Sequence, residues 1–167
     1  NHLVMLQVLL PLVTGSLLLL SSRLAEGLRR AVGFAATLAL LPIALLLMSQ
    51  VADGAHVVYS LGGWQPPFGI VLVADRLSAL MLLLTAVVAL ASQVYAGDGQ
   101  DTAGPQFQAL FQFQLLGING AFLTGDLFNL FVFFEVLLIA FYTLLLHGLG
   151  PQRVGAALHV VVLNLIG

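Results

Sequence analysis

The residue with the clearest chemical potential is a single acid, Glu135, in the middle of a long apolar stretch. The run from Phe131 to Ile139 contains no other polar residue. If the surrounding helix begins near Leu127, Glu135 lies roughly 12 Å along it, well inside the hydrocarbon of a membrane. A charged acid there costs at least about 2.5 kcal/mol. Low polarity favours the neutral carboxyl and a nearby cation favours the charged one, so a carboxyl facing a movable cation can relay protons.

The cation that such a carboxyl needs is not visible in the sequence. Lysine is absent, and the five arginines fall at or near the predicted ends of helices. The cationic partner of Glu135 could therefore lie beyond Gly167 or on another subunit, or Glu135 could act through water instead. We favour a partner beyond Gly167. A neutral glutamate hydrogen-bonded to a neighbouring helix is the structural alternative. Acids inside membranes are rare and costly enough to favour a function.

Three further residues could bear on proton movement. Asp126 stands just before the predicted helix of Glu135, where an acid caps a first turn or, alternatively, lines the outer mouth of a proton path. Asn129, one turn further on, could cap, bridge waters or pack. His159 lies in a later apolar stretch and could pass protons or simply pack as a hydrogen-bonding group. The residues show neither metal-ligand spacing nor a Ser/His/Asp triad, and we expect no cofactor.

Other polar residues have simpler predicted roles. Asp75 and Arg76 open the third apolar stretch, where the acid suits a helix N-terminus and the arginine can extend to the membrane interface. His147 ends the fifth stretch, where a cation complements the helix dipole. The segment Gly117-Ile118-Asn119-Gly120 lacks the context of a nucleotide-binding loop, and we predict that its small residues mark close helix packing.

The composition requires that these residues be positioned by membrane helices. Of 167 residues, 60 % are hydrophobic and 7 % are charged, whereas soluble domains carry about 25 % charged residues. The net charge of -2 gives no reason to expect nucleic-acid binding, and the absence of cysteine excludes a disulfide framework. We therefore predict an all-α, polytopic transmembrane bundle in contact with the lipid bilayer, and its first helix has no features of a cleavable signal peptide.

Five stretches are long and apolar enough to span a membrane. They are Leu3 to Ser22, Ala31 to Val51, Leu72 to Tyr95, Phe107 to Thr124 and Leu127 to His147. A sixth begins near Val154 and is still apolar at Gly167, so we expect the natural protein to continue. The loop from Ala52 to Gly69 is predicted to be a rigid, turn-rich segment.

Arginine bias predicts the orientation in the membrane. The loops on one side hold Arg23, Arg29, Arg30 and Arg153, and the opposite side holds only Arg76. Because positive residues favour the cytoplasmic side, the N-terminus is predicted to be outside, in a multi-pass protein of the bacterial inner membrane.

The run from Gly117 to Glu135, with its core TGDLFNLFVFFE, resembles the antiporter-like subunits shared by Mrp-type Na⁺/H⁺ antiporters and respiratory complex I. Its form is most similar to the D subunits of the Mrp group. The segment from Asp75 to Met81 matches a second family signature, and the segment from His159 to Gly167 resembles the sixth helix. The resemblance extends over essentially the whole chain.

The resemblance implies a larger helical fold built around two inverted repeats. Residues 1–106 would form the peripheral helices one to three, and residues 107–167 would form helices four, five and part of six at the start of the first repeat. Glu135 matches the glutamate of the fifth helix, which in relatives pairs with a lysine of the seventh helix and gates proton movement. A fragment ending at Gly167 would lack that lysine and be inactive alone.

Three functions follow as hypotheses. The first is a secondary-transporter subunit, not an enzyme, that moves H⁺ in exchange for Na⁺ or another monovalent cation together with other subunits of a membrane complex. The second is a proton-pumping subunit of NADH–quinone oxidoreductase or a membrane hydrogenase, distinguished by neighbouring iron–sulfur subunits. The third is a membrane scaffold, which predicts that Glu135→Gln leaves activity intact.

Overall fold

The computed structural model describes residues 2–21, 23–64, 69–97, 106–148 and 151–166, and within the last segment the side chains of residues 154, 155 and 157–164. These residues form six helices and one β-hairpin. In chain order the elements are α1 (His2–Leu20), α2 (Glu26–Val51), β1 (Val57–Ser60), β2 (Val71–Ala74), α3 (Arg76–Ala96), α4 (Phe107–Leu123), α5 (Leu127–Leu145) and α6 (Pro151–Ile166). The prediction of a helical membrane bundle is confirmed.

Four of the described helices, namely α1, α2, α3 and α5, are long and apolar enough to cross a membrane. The fourth predicted span corresponds to α4, whose 17 residues lie at the lower end of the spanning range. The sixth helix begins at Pro151, three residues before the predicted start at Val154.

The prediction that the third span begins at Leu72 is wrong. Leu72 lies in β2, which pairs antiparallel with β1 in the register Val57↔Ala74 to Ser60↔Val71. A continuous apolar run does not distinguish a buried strand from a helix, and the β-branched Val71 and Val73 favour the strand. A polar cap at Asp75 then ends the strand region and begins α3.

The predicted loop from Ala52 to Gly69 therefore contains structure of its own. It includes β1 and a short 3-10 turn, Leu61–Gly63, whose Gly62 has a φ of 64°. Residues 65–68 of the predicted turn-rich segment lie outside the described residues. The side chain of Trp64, at the end of the 3-10 turn, is exposed, and tryptophan suits a membrane interface.

The second span also begins earlier than predicted, at Glu26 instead of Ala31. Arg29 and Arg30 consequently lie in the first turns of α2 and not in a loop. Arg29, placed at a membrane interface by the sequence, is 6 % exposed. The helix can begin there because Glu26 in its first turn complements the helix dipole.

The bundle has two distinct ends. At the hairpin end lie the β-hairpin, the start of α3 and the α4–α5 junction, and at the arginine end lie residues 23–30, the end of α3 and the start of α4. The hairpin is attached to the α4–α5 junction, since the Gly125 N–H donates to the Val71 carbonyl at 2.8 Å and Leu72 forms a bridge with Thr124. The hairpin therefore sets where α5 begins.

The core lies where α1, α2, α3, α4 and the hairpin meet. Its central cluster consists of Val4, Ala44, Leu47, Leu72, Ala74, Leu82 and Leu123, all 0 to 1 % exposed. Helix α4 packs against α1 and α5 more extensively than against any other element. It is thus the structural link between the first helices and the helix that carries Glu135.

Candidate functional site

Glu135 lies on the exposed face of α5. Large apolar side chains surround it on that face: Phe128, Phe131, Val132, Phe134 and Ile139. Within the part of the chain that the structure describes, its carboxyl has no hydrogen-bond or ion-pair partner. The sequence prediction that the acid would lie in an apolar stretch of helix is confirmed, but the described parts of the other helices do not bury it.

Asp126 is the N-cap of α5. Its Oδ1 accepts a hydrogen bond from the Asn129 N–H at 2.7 Å, and its Oδ2 accepts one from the Asn129 side-chain amide. The backbone hydrogen bond from Asn129, followed by its side-chain hydrogen bond, lowers the pKa of Asp126 below its ordinary value. Asp126 is partly exposed and borders a shallow depression with Thr124 and Leu130. The capping role predicted for it is confirmed, and Asn129 completes the cap.

Asp126 and Glu135 are separated along α5. Nine residues correspond to about 13 Å of helix, so the two carboxyls do not form one site. Asp126 lies at the hairpin end, and Glu135 lies near the middle of α5. Protons passing between them would need intervening water or other groups.

His159 lies on the exposed face of α6. Its Nδ1 is 2.7 Å from the Gly155 carbonyl, one turn earlier in the same helix. Leu158, Val162 and Leu163 line a shallow groove beside it. No hydrogen bond joins His159 to Glu135 or Asp126 among the placed side chains, so the three predicted site residues are not brought together.

The start of α3 shows how the hairpin end is held. Asp75 and Ser78 form a capping box, in which Asp75 Oδ1 accepts from the Ser78 N–H at 2.7 Å. The backbone and then the side-chain hydrogen bond of Ser78 lower the pKa of Asp75. Arg76 does not simply extend to the interface, because its Nη2 donates to the Ala52 carbonyl at 2.6 Å and its Nε to the Val51 carbonyl at 3.3 Å. It therefore closes the end of α2.

His147 follows α5, as predicted, and its ring lies 5.4 Å from that of Phe107, measured between centroids. This contact joins the end of α5 to the start of α4 at the arginine end.

Sequence reasoning missed a set of buried amides that hold α4. Gln112 Nε2 donates to the Gly33 carbonyl and to Thr37 Oγ1, both at 2.9 Å. Asn119 Nδ2 donates to the Gln7 carbonyl at 3.1 Å. Gln112 and Asn119 are seven residues apart, which places them on one helix face, and this spacing is the signal that could have revealed them.

The comparisons with known proteins agree with this fold. No protein-family model matches the chain. It is 52 % identical over 99 % of its length to the D subunit of a probable K(+)/H(+) antiporter of Rhizobium meliloti, of which it covers 32 %. It is 40 % identical over 98 % of its length to the D subunit of a Na(+)/H(+) antiporter of Alkalihalophilus pseudofirmus, of which it covers 34 %. The chain thus spans about a third of the length of these curated relatives.

Subunits of redox-driven membrane complexes, the class named in the second hypothesis, also match the chain. The chain is 37 % identical over 98 % of its length to the N subunit of NADH-quinone oxidoreductase of Desulforudis audaxviator, of which it covers 33 %. A chain of the membrane-bound sulfane sulfur reductase, an archaeal respiratory complex, superposes with a TM-score of 0.91 at 29 % identity, with 99 % of this chain and 34 % of that chain covered.

A chain of the Mrp complex from Dietzia sp. DQ12-45-1b superposes with a TM-score of 0.86 at 33 % identity. The superposition covers 99 % of this chain and 31 % of that chain. The chain is therefore a multi-pass membrane protein and a homologue, over about a third of their length, of the D subunits of the Mrp-type antiporters.

Proposed function

We propose that this chain is part of a membrane subunit that exchanges a monovalent cation for protons within a multisubunit antiporter, and that Glu135 binds and releases the proton. One observation carries the proposal. Glu135 is an acid on the apolar, exposed face of a helix able to span a membrane, without a partner among the described residues. The similarity to antiporter D subunits supports the exchange reaction.

The chemistry follows from the surroundings of the carboxylate. With apolar neighbours such as Phe131 and Ile139, a charged Glu135 is unstable unless a cation lies close. A cation that approaches favours proton release, and one that withdraws favours proton uptake. The family resemblance implies that a lysine of the seventh helix supplies this charge. Glu135 faces away from α4, which leaves its carboxyl open to such a helix.

Asp126 and His159 have supporting places in this proposal. Asp126 caps the first turn of the helix that carries Glu135. Its alternative role, lining the outer mouth of a proton path, is distinguished from capping by substitutions that keep or remove the cap. His159 lies on an exposed face and is available to a proton path formed with other helices.

The orientation is also a proposal. The arginine end of the structured bundle holds Arg23, Arg29 and Arg30, and the hairpin end holds Arg76. The positive-inside preference then places the arginine end in the cytoplasm and the N-terminus outside, in a bacterial inner membrane.

A second function is a proton-pumping subunit of a redox-driven complex. It is favoured by the high TM-score to the sulfane sulfur reductase chain and by the identity to the N subunit of NADH–quinone oxidoreductase. Glu135 would carry out the same proton chemistry, but electron transfer in other subunits would drive it.

The test uses everted membrane vesicles that contain the full-length complex. A pH-sensitive dye reports the collapse of a preformed proton gradient after Na⁺ or K⁺ is added. We expect Glu135→Gln to abolish this collapse at normal assembly, because the amide cannot exchange a proton. Glu26→Gln is the matched control, since Glu26 is exposed in the first turn of α2 and is the only other glutamate in the sequence.

If exchange persists in Glu135→Gln, Glu135 is not the proton relay, and the hypothesis of a membrane scaffold is favoured instead. If the native complex responds to neither cation but acidifies the vesicles when NADH or another electron donor is added, the redox-pump function replaces the antiporter.

A further inference from the structure

The contact between α4 and α5 depends on two glycines. A β-carbon on Gly120 would overlap the Phe133 ring at Cδ1, Cε1 and Cγ. One on Gly117 would lie 2.7 Å from both the backbone N and the Cβ of Leu137. Carbon atoms in contact normally lie about 3.5–4.0 Å apart. The two helices are therefore as close at these positions as glycine alone allows.

This contact determines the direction in which Glu135 points. Successive residues of a helix are about 100° apart, so Phe133 and Leu137 lie about 40° apart around α5. Glu135, midway between them in sequence, lies about 180° from their mean direction. The acid therefore points directly away from α4, in agreement with its exposed position.

Helix α4 is not free to move if the contact is disturbed. The side chains of Gln112 and Asn119, which are 0 and 1 % exposed, hold it to α1 and α2 through their hydrogen bonds to Gly33 and Gln7. Both amides donate to backbone carbonyls, which only accept, so their orientation is determined. Among the described residues, α5 is attached along Leu127–Leu145 by its cap, by its contact with α4 and by a smaller contact with α6. An added side chain on α4 must therefore displace α5.

We infer that Gly117 and Gly120 are positioning residues for Glu135. They lie on the opposite side of α5 from the carboxyl, but they determine the distance and rotation of α5 and hence the place where Glu135 meets a cation. A methyl group on Gly117 would meet the backbone of Leu137, and one on Gly120 would meet the Phe133 ring, which packs against the central cluster. Restoring normal contacts in either case is expected to move α5 by roughly 1 Å or more. This inference rests on the proposed proton role of Glu135.

The test compares glycine-to-alanine variants of the full-length complex. Gly120→Ala is expected to lower cation-dependent proton exchange roughly tenfold to a hundredfold, as displacements of about 1 Å in an active site do. Gly27→Ala is the matched control, because Gly27 also lies in a helix and a β-carbon there would meet no atom within 4 Å.

A second readout reports on the acid itself. Dicyclohexylcarbodiimide reacts with protonated carboxyls in apolar surroundings, and the modified peptide containing Glu135 is quantified by mass spectrometry. Because displacement separates the carboxyl from its cation and favours the neutral form, Gly120→Ala is expected to react faster at neutral pH than Gly27→Ala. This rate does not require transport. If Glu135→Gln retains exchange, the proposed function fails, while the labelling rate still tests the positioning.

Rescue variants distinguish positioning from general damage. Gly120→Ala/Phe133→Ala removes the ring that the new methyl would overlap, so it should recover exchange and the native labelling rate relative to Gly120→Ala. Gly117→Ala/Leu137→Ala should not recover, since the overlap there includes the backbone N and Cα of Leu137. Equal recovery of both pairs overturns the inference.

Native exchange and labelling in Gly120→Ala also overturn it. If the single variants do not assemble, the Gly120→Ala/Phe133→Ala protein is compared with the native complex. In that comparison, native labelling supports the inference, and failure to assemble or altered labelling overturns it.

Discussion

We expect Asp126 to serve as a helix cap and not as a proton carrier, and two substitutions separate these roles. Asp126→Asn retains a side-chain oxygen that can accept the Asn129 N–H, whereas Asp126→Ala removes it. The Asn129 side-chain amide can turn to present its oxygen to the amide that the first substitution introduces. The first variant therefore preserves the cap, and the second exposes the start of α5 without one.

The magnitudes follow from the contacts of the carboxylate. Loss of an N-cap costs about 1 kcal/mol, and loss of the negative charge at the helix N-terminus costs a further 0.3–1 kcal/mol or so. Asp126→Ala should therefore destabilise the region by about 1–2 kcal/mol. Asp126→Asn loses only the charge effect and should lie within about 1 kcal/mol of the native protein.

The assay combines the thermal midpoint of the purified full-length complex with proton exchange in vesicles. The midpoints are expected in the order native, then Asp126→Asn, then Asp126→Ala, with exchange retained in Asp126→Asn. Asp53→Asn is the control, because Asp53 is exposed at the same end of the bundle and lies outside any helix.

Two results would refute this reasoning. Loss of exchange in Asp126→Asn at a native thermal midpoint would mean that the carboxyl itself carries or admits protons. An unchanged midpoint in Asp126→Ala would mean that the hydrogen bonds to Asn129 do not hold the start of α5.

Two further predictions concern the hairpin end. Arg76→Gln should lower the thermal midpoint by an amount equivalent to about 1–3 kcal/mol, because the charged donors to the Val51 and Ala52 carbonyls are lost. The midpoint of Arg76→Lys should lie between those of the native protein and Arg76→Gln. A native midpoint for Arg76→Gln would contradict this prediction. The pKa of Asp75 is lowered by Ser78 in the folded protein, so its stabilisation is present above about pH 4 and is lost as pH falls and the carboxyl protonates. When the pH is lowered below about 4, the thermal midpoint should therefore decrease, and it should decrease less steeply in Ser78→Ala. The same dependence of the midpoint on pH in both proteins would refute this linkage.

Much of the helical architecture could be predicted from the sequence because apolar length alone requires it. A backbone in lipid must satisfy its own hydrogen bonds, so long apolar stretches become helices. The hairpin could not be predicted in this way. The run from Val71 to Ala74 is apolar enough for either state, and its pairing with β1 and with Thr124 involves residues distant in sequence.

The candidate site divides in the same way. The sequence by itself determined that Glu135 is an acid in an apolar helix and that Asp126 can cap it, because both depend on neighbours along the chain. Tertiary structure alone decided that Glu135 faces away from α4, that Arg29 is buried, and that Gln112 holds α4. These properties depend on how closely two helices approach and at what rotation, and that is set by contacts such as those at Gly117 and Gly120, which join positions far apart in the chain.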